Sequence, residues 1–190
     1  ERAVVAETAT GTTQEKFAST VARVYWKLLA YKDEYEVARL FVDPSFRRQL
    51  DDTFEAGYQL RFHLAPPIFS ARDQVTGRPR KREFGRWMWM VFRLLAACKG
   101  LRGSRLDPFS HSADRKLERR LIKEYESTIE ELIVRLSRYN LKEATEIAAL
   151  PLEIRGFGPV KGAAAEVASQ KQLELWRKFE LRGEAQRAVA

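Results

Sequence analysis

Apolar residues recur every three or four positions along most of this 190-residue chain, which is the spacing of one face of an α-helix. The first such face is formed by Phe17, Val21, Val24, Tyr25, Leu28 and Leu29. Before it, the segment Thr12–Glu15 has the spacing of a capping box, in which a threonine hydroxyl and a glutamate carboxylate bind the exposed helix amides. We therefore predict a helix after Glu15, and we expect residues 1–12 to be flexible.

Acidic residues and a proline mark the start of the next two predicted helices. Asp33 and Asp43 each precede a short amphipathic stretch, and an aspartate there can accept hydrogen bonds from the first amides of a helix. Pro44 follows at the first helical position, where the missing N–H has no cost. The sequence therefore predicts two short helices, one after Asp33 and one after Asp43.

Helices are also predicted over residues 87–98, 112–138 and 160–181, and a shorter one begins at Asn140. The helix over 112–138 is expected to be the longest. Residues 87–98 are apolar apart from Arg93, so we expect this helix to be buried on all sides as the central element of the fold.

One stretch has the two-residue period of a β-strand instead. Within residues 58–64, apolar and polar side chains alternate, and His63 and Arg61 lie on the polar face. The segment Asp73–Gly77 has the composition of a hairpin loop, and a basic run over residues 78–82 would form the return strand. The predicted fold is therefore mainly α, a helical domain with a small antiparallel β-ribbon near residues 58–84.

Composition limits the classes of partner and compartment. The net charge of +8 favours contact with nucleic acid, phosphorylated cofactors, membrane surfaces or acidic proteins. The single cysteine, Cys98, excludes an internal disulfide and a four-thiolate metal site built by this chain alone.

We read no secretion signal, and the apolar run over 87–98 is shorter than the ~20 residues of a membrane span. We expect a cytoplasmic protein with no membrane partner. At 190 residues we expect one helical domain over residues 1–190, and a start at Glu1 instead of Met suggests a fragment of something longer.

The densest positive charge lies in the predicted ribbon. Residues 72–86 carry six arginines and lysines against two acids, which is half of the net charge of the chain. Arginine binds oxyanions through two parallel hydrogen bonds, so the segment can be a docking patch for phosphate or acidic protein. It can equally be a solvated strand edge with internal ion pairs. The candidate binding residues here are Arg61, His63, Arg78, Arg80, Lys81 and Arg82.

A second candidate anion site is the turn over residues 154–161. Gly156 and Gly158 precede a predicted helix, and Arg155 and Lys161 flank the turn, so the pair could hold an anion there. The third glycine and the preceding strand of a nucleotide-binding motif are missing. The glycines are also explained as the end of one helix and the start of the next.

The sequence offers no catalytic or metal-binding set. His63 and His111 have no second histidine or cysteine at ligand spacing, and no nucleophile, base and orienting group stand together. We therefore predict no catalytic residue and no metal ligand in this chain.

Several long segments of unusual composition together resemble one known family. They are Lys27–Phe41, Leu60–Pro67, Gly77–Gly85, Leu101–Phe109 and Leu150–Lys161. In this order, over residues 20–180, they resemble the C-terminal accessory domain of large, fused bacterial indolepyruvate (2-oxoacid) ferredoxin oxidoreductases. The resemblance implies a parent enzyme that oxidatively decarboxylates a 2-oxoacid, passes the acyl group to coenzyme A and passes electrons to ferredoxin.

The resemblance also implies that the cofactors belong elsewhere. In this family, thiamine diphosphate, magnesium and 4Fe–4S clusters lie in other domains, and none of their binding motifs occurs in this chain. Ferredoxins are typically acidic and coenzyme A carries phosphates, so either could meet the basic ribbon. We expect a non-catalytic accessory domain that stabilises assembly with the other domains of the parent enzyme or docks such a partner.

The alternative is a basic helical module that binds nucleic acid. It depends on the high isoelectric point, near 9.7, and predicts an affinity that falls steeply with salt. Against it, the acidic second half of the helix over 112–138 and the apolar setting of the aromatic residues leave no obvious element to read a groove.

Overall fold

The computed structural model describes residues 1–12, 15–64 and 81–187 and confirms the mainly helical fold class. Within these residues there are eight α-helices: α1 (Arg2–Ala9), α2 (Lys16–Leu29), α3 (Glu34–Val42), α4 (Pro44–Thr53), α5 (Met88–Ala97), α6 (Ala113–Arg135), α7 (Leu141–Ala149) and α8 (Pro159–Arg187). Strands β1 (Phe62–Leu64) and β2 (Arg82–Phe84) form one antiparallel pair. Short 3-10 turns follow α5 and α7 at Cys98–Leu101 and Leu150–Leu152.

The chain divides into two compact units. Unit 1 consists of Glu1–Tyr31 and Leu117–Ala190, and it contains α1, α2, most of α6, α7 and α8. Unit 2 consists of Lys32–Lys116 and contains α3, α4, the β-ribbon, α5 and the first turn of α6. Each unit has its own cluster of buried apolar side chains.

The core of unit 1 is built from the helical faces that the apolar spacing predicts. Helix α2 contributes Phe17, Val24 and Leu28, and the last helix contributes Phe179. The cluster also contains Leu121, Tyr125, Ile129 and Leu132 of α6, Ala144, Ile147 and Ala148 of α7, Ile154, and Ala165 and Ala168 of α8. Burial of an apolar side chain of this size contributes about 1.5–3 kcal/mol, so these faces hold unit 1 together.

The start of unit 1 differs from the sequence prediction. Residues 1–12, expected to be flexible, contain α1, and Glu7 at its end is only 1% exposed. The two carboxylate oxygens of Glu7 accept hydrogen bonds of 2.9 and 2.8 Å from the amides of Phe17 and Ala18. Glu15 occupies the N-cap position of α2 but makes no capping bond with its side chain. The predicted capping box was therefore wrong, because α2 is capped by a carboxylate from the preceding helix.

Unit 2 is centred on an aromatic cluster. The ring of Phe41 stacks on Phe92 at 4.8 Å between centroids and meets Phe62 edge-on at 5.4 Å. Phe62 lies opposite Phe84 in the β-ribbon, so the ribbon is anchored in this cluster. The ribbon is confirmed, although β1 is shorter than the predicted stretch from residue 58. The predicted loop Asp73–Gly77 lies outside the described residues.

Two predictions about the longer helices were wrong. Helix α5 is not buried on all sides, since Trp87, Met90 and Leu94 are 58%, 74% and 66% exposed. Apolar composition shows that a helix has several apolar faces, but it does not show which of these faces pack against other elements of the fold. Of the described helices, α8 is the longest, with 29 residues against 23 for α6, because it continues to Arg187 and so passes the predicted end at residue 181. In the described part of the chain, no helix combines the length and apolarity needed to cross a membrane.

The predicted starts of α3 and α4 are confirmed. Asp33 accepts hydrogen bonds from the amides at the start of α3, and Asp43 does so for α4, with Pro44 at the first position. Asn140 also precedes α7 as predicted, but its side chain accepts from the Ser137 amide and donates to the carbonyl of Arg135. It therefore closes the end of α6 instead of capping α7.

Candidate functional site

The β-ribbon of unit 2 carries those predicted binding residues that the structure describes, and they are exposed. The Nη1 atom of Arg61 lies 2.6 Å from Oε1 of Glu83, so this arginine is paired across the ribbon. His63 lies opposite Glu83 in the strand register and is exposed. Lys81 and Arg82 are exposed, and neither forms an ion pair with a carboxylate of the described residues. The ribbon therefore presents two exposed cations that pair with no carboxylate of the described residues, beside one internal ion pair.

The two remaining cations of the predicted ribbon site, Arg78 and Arg80, lie outside the described residues. Their part in a docking site stays a prediction from the sequence. Arg61, His63, Lys81 and Arg82 all belong to β1, β2 or the residues next to them, but the register pairs His63 with Glu83 and Arg82 with Leu64, so His63 and Arg82 lie on opposite faces of the ribbon.

Positive charge is concentrated in unit 2. Residues 32–116 hold 17 of the 34 lysines and arginines but only 11 of the 26 acids, so unit 2 carries +6 of the net +8. The stretch from Phe84 to Leu106 contains no acid at all and five cations: Arg86, Arg93, Lys99, Arg102 and Arg105. Of the two units, unit 2 therefore attracts an acidic partner more strongly.

A buried polar network in unit 2 was not found from the sequence. Asp33 pairs through Oδ2 with Nε of Arg102 at 2.7 Å, while its Oδ1 caps α3. Arg115, only 6% exposed, is paired with Glu34 and lies 3.8 Å from Asp33. The network links the start of α3 to the loop after α5 and to the first turn of α6.

Tyr35 extends this network into the loop before α6. Its hydroxyl donates to Oδ1 of Asp107 at 3.1 Å, and burial together with this hydrogen bond raises the pKa of Tyr35 to about 12. Asp107 also accepts from the amides of Gly103 and Phe109. Burial alone would raise the pKa of Asp107, but these hydrogen bonds and the charge of Arg115 outweigh it and lower the pKa. The carboxylate therefore stays ionised, and its oxygens hold the loop in place by accepting hydrogen bonds from the loop amides.

The turn over residues 150–161 in unit 1 contains the second group of predicted residues. Nζ of Lys161 lies 2.6 Å from both carboxylate oxygens of Glu118, and the pair is largely buried. Arg155 is exposed and donates to the carbonyl of Leu152 at 3.3 Å. The charge of Lys161 is thus already balanced by an internal carboxylate, which weakens its attraction for an external anion.

Lys27 is a third cation near this turn, and it was not among the residues predicted from the sequence. Its Nζ donates to the carbonyls of Pro151 and Ile154 at 2.5 and 3.0 Å. Burial lowers the pKa of Lys27, and the charges of Lys161 and Arg155 lower it further, while Glu118 acts in the opposite direction. Lys27 therefore holds the backbone of the turn, a role that no local sequence signal predicts because its acceptors lie far along the chain.

Backbone conformation explains one of the glycines of the turn. Gly156 has φ +94°, and a Cβ placed there would lie 2.8 Å from a methyl carbon of Val160. Both the positive φ and the close approach require glycine at this position. The predicted start of the last helix at Pro159 is confirmed, but the preceding 3-10 turn already ends at Leu152 with Glu153 as its C-cap, so the prediction that Gly156 ends that helical segment was wrong. Anion binding at Arg155 and Lys161 stays a prediction.

A cavity in unit 1 lies between α6, α7 and α8. It has a volume of about 70 Å³ and is lined mainly by apolar side chains, with Gln172 and Thr128 hydrogen-bonded to each other at its wall. Sites for cofactor-sized ligands are usually about 300–1,000 Å³. This cavity is therefore too small for coenzyme A or another nucleotide.

Comparisons with known proteins give one relationship. Neither the curated proteins nor the solved structures include a match to this chain. Residues 1–174 match a family of unknown function, DUF6537. This match covers all of unit 2 and most of unit 1, so both the basic ribbon and the turn before α8 lie within it. The chain therefore belongs to the DUF6537 family of unknown function.

Proposed function

We propose that this chain is a non-catalytic accessory domain of a 2-oxoacid (indolepyruvate) ferredoxin oxidoreductase, and that unit 2 docks an acidic partner of that enzyme. The observation that carries the proposal is the charge of unit 2, +6 of the net +8. Lys81 and Arg82 project this charge from the ribbon without pairing to a carboxylate of the described residues. The parent enzyme and its cofactors, thiamine diphosphate, magnesium and 4Fe–4S clusters in other domains, come from the family resemblance.

The charge distribution favours docking over a purely architectural role. A patch of uncompensated exposed cations raises the rate of encounter with an acidic surface, whereas a buried ion pair mainly stabilises the chain that contains it. In unit 1, the cation Lys161 is of the second kind, since Glu118 neutralises it within the fold. Lys81 and Arg82 are exposed and pair with no carboxylate of the described residues, so we class them with the first kind. An acidic ferredoxin is the partner we favour, and the phosphates of coenzyme A are the second choice.

The test is turnover of the full oxidoreductase. We expect the variant R78Q/R80Q/K81Q/R82Q to reduce ferredoxin several-fold more slowly at low ionic strength, because fewer cations steer the acceptor. The difference should shrink as salt is added, since screening removes the contribution of exposed charges. Reduction of a small neutral dye should be unchanged, because a dye needs no electrostatic docking.

A matched control separates the ribbon from net charge. The variant R23Q/K123Q/R177Q/K178Q removes four exposed cations of unit 1 and changes the total charge equally. We expect it to turn over ferredoxin at the wild-type rate. If the ribbon variant also behaves like the wild type at every salt concentration, the docking proposal is wrong. If the enzyme dissociates instead, the domain serves assembly.

A further inference from the structure

An exposed apolar stripe runs along α5 in unit 2. It consists of Trp87, Met90 and Leu94, which are 58%, 74% and 66% exposed. At 3.6 residues per turn, Trp87 and Leu94 lie within about 60° of Met90 around the helix axis, so the three side chains share one face. They span about two turns, or ~10.5 Å. We call these three residues the α5 stripe.

The stripe is not the face that holds α5 in the fold. The opposite face carries Met88 and Phe92, which are 6% and 4% exposed and belong to the aromatic core of unit 2. Helix α5 therefore has one face packed in the core and a second apolar face in contact with water. Large exposed apolar side chains grouped on one helix face are typical of surfaces that bind a partner.

Positive charge accompanies the stripe. Arg93 lies on the same side of the helix, within about 60° of Met90, and Arg86 immediately precedes Trp87. Both arginines are exposed, and neither forms an ion pair with a carboxylate of the described residues. The acids of the neighbouring helix α3 are already engaged, Glu34 by Arg115 and Glu36 by Arg39. The surface around the stripe is therefore apolar and cationic at once.

We propose that the α5 stripe, with Arg86 and Arg93, is the docking face for an acidic amphipathic helix of a partner protein. This inference depends on the proposed docking function and names the surface and the kind of element that it receives. Apolar side chains spaced at i, i+3 and i+7 match the spacing of a second helix lying along α5. Glu and Asp beside the apolar stripe of the partner would meet Arg86 and Arg93, which selects an acidic helix over a neutral or basic one.

The same charges disfavour the two other occupants. A second copy of this chain would bring Arg86 and Arg93 against the arginines of its counterpart, and like charges at an interface oppose association. An anionic membrane surface would attract the arginines. However, α5 buries its other face in the protein core and has only 10 residues, so it offers little apolar area to a bilayer. We therefore commit to a protein helix.

The experiment uses the full 190-residue chain and a synthetic helical peptide as the probe. The peptide has leucine at i, i+3, i+4 and i+7 and glutamate on both flanks, and its binding is followed by fluorescence anisotropy at low salt. Two matched peptides carry lysine in place of glutamate, or serine in place of leucine. We expect only the acidic, leucine-containing peptide to bind, because the other two lose either the charge attraction or the apolar contact.

Two variants of the chain test the surface itself. We expect M90S/L94S and R86Q/R93Q each to weaken peptide binding by at least about tenfold, which is about 1.4 kcal/mol. Trp87 is left in place because its ring packs edge-on against Phe84 at 5.8 Å. The control V134S/L181S removes two exposed apolar side chains of unit 1 and should bind like the wild type. Circular dichroism verifies that each variant is folded.

The outcomes separate this inference from the proposed function. If the acidic peptide does not bind, or binds M90S/L94S equally well, the stripe is not a docking face, even if the ribbon variant still slows ferredoxin reduction. If the wild type binds phosphatidylserine vesicles but not the peptide, and M90S/L94S no longer binds the vesicles, the stripe belongs to a membrane surface and the inference is overturned. If analytical ultracentrifugation shows that the wild type dimerises and that M90S/L94S does not, the stripe binds a second copy of this chain and the inference is overturned.

Discussion

Nζ of Lys161 lies 2.6 Å from both carboxylate oxygens of Glu118, and the two side chains are only 17% and 14% exposed. Lys171 and Glu153, also in unit 1, form an ion pair whose side chains are about half exposed. The two pairs have the same chemistry and differ in burial. Their contributions to the stability of unit 1 should therefore differ because of burial.

We expect a double-mutant cycle to separate these two pairs. The coupling energy between K161M and E118Q should exceed about 1 kcal/mol, because removing one partner leaves the other largely buried and unpaired. The coupling between K171M and E153Q should be about 0.2–1 kcal/mol, as for exposed ion pairs. Urea unfolding of the four single and two double variants gives both values. Equal coupling energies in the two pairs would contradict a structural role for Lys161.

The contact of Lys27 with the turn before α8 gives a second prediction. We expect K27M to lower the free energy of unfolding by about 1–3 kcal/mol, because the carbonyls of Pro151 and Ile154 lose their donor. Methionine keeps the length of the side chain, so the loss reports hydrogen bonding and charge more than volume. The control is K178M on the exposed side of α8, which should change stability little. Equal stability of the two variants would show that the turn does not depend on Lys27.

Tyr35 gives a prediction for the pH dependence of stability. Burial and the hydrogen bond to Asp107 raise its pKa to about 12 from the ordinary value of 10.0. Between these two pH values, the unfolded chain ionises this tyrosine while the folded chain keeps the proton. Its contribution to stability is therefore complete below pH 10 and is lost as the pH rises towards 12.

We expect the free energy of unfolding to fall less between pH 10 and pH 11 in Y35F than in the wild type. Urea unfolding at several pH values in this range measures the difference. Some fall should remain in Y35F, because the pKa values of Tyr25 and Tyr125 are also raised. An equally steep fall in Y35F and the wild type would contradict the buried Tyr35–Asp107 contact.

Asp33 has two roles that substitution can separate. Asparagine at this position still accepts the two amides of α3 but no longer pairs with Arg102, whereas alanine loses both functions. We expect D33A to lower the free energy of unfolding by about 1–2 kcal/mol from the lost cap alone, and D33N to lower it by less. Thermal or urea unfolding measures both. If D33N is as unstable as D33A, the ion pair with Arg102 dominates and the cap contributes little.

Local sequence signals predicted much of the fold. Apolar spacing located the helices, and Asp33 and Asp43 marked two of their starts, because a cap and its helix are adjacent in the chain. The contacts that were missed join distant segments. Lys27 binds carbonyls more than 120 residues away, and Glu7 caps a helix to which it does not belong. Such contacts depend on how the helices pack, which residue spacing does not specify.

The candidate site was predicted only in part, because contacts between distant segments also determine which of its charges are free. Charge density along the chain located the basic ribbon, where Lys81 and Arg82 are exposed and unpaired with the described carboxylates. It did not show that Lys161 is neutralised by Glu118, which lies on another helix. Nor did it show the exposed face of α5, because a buried helix and a half-exposed helix can have the same apolar composition.

The most direct test of the central claim is the rate at which the 190-residue chain associates with an acidic ferredoxin as ionic strength increases. Stopped-flow measurements between about 0.01 M and about 1 M salt span a Debye length from about 30 to about 3 Å. We expect the association rate of the wild type to fall steeply over this range, and that of R78Q/R80Q/K81Q/R82Q to start lower and fall less. A wild-type association rate that does not change with salt would contradict electrostatic docking through unit 2.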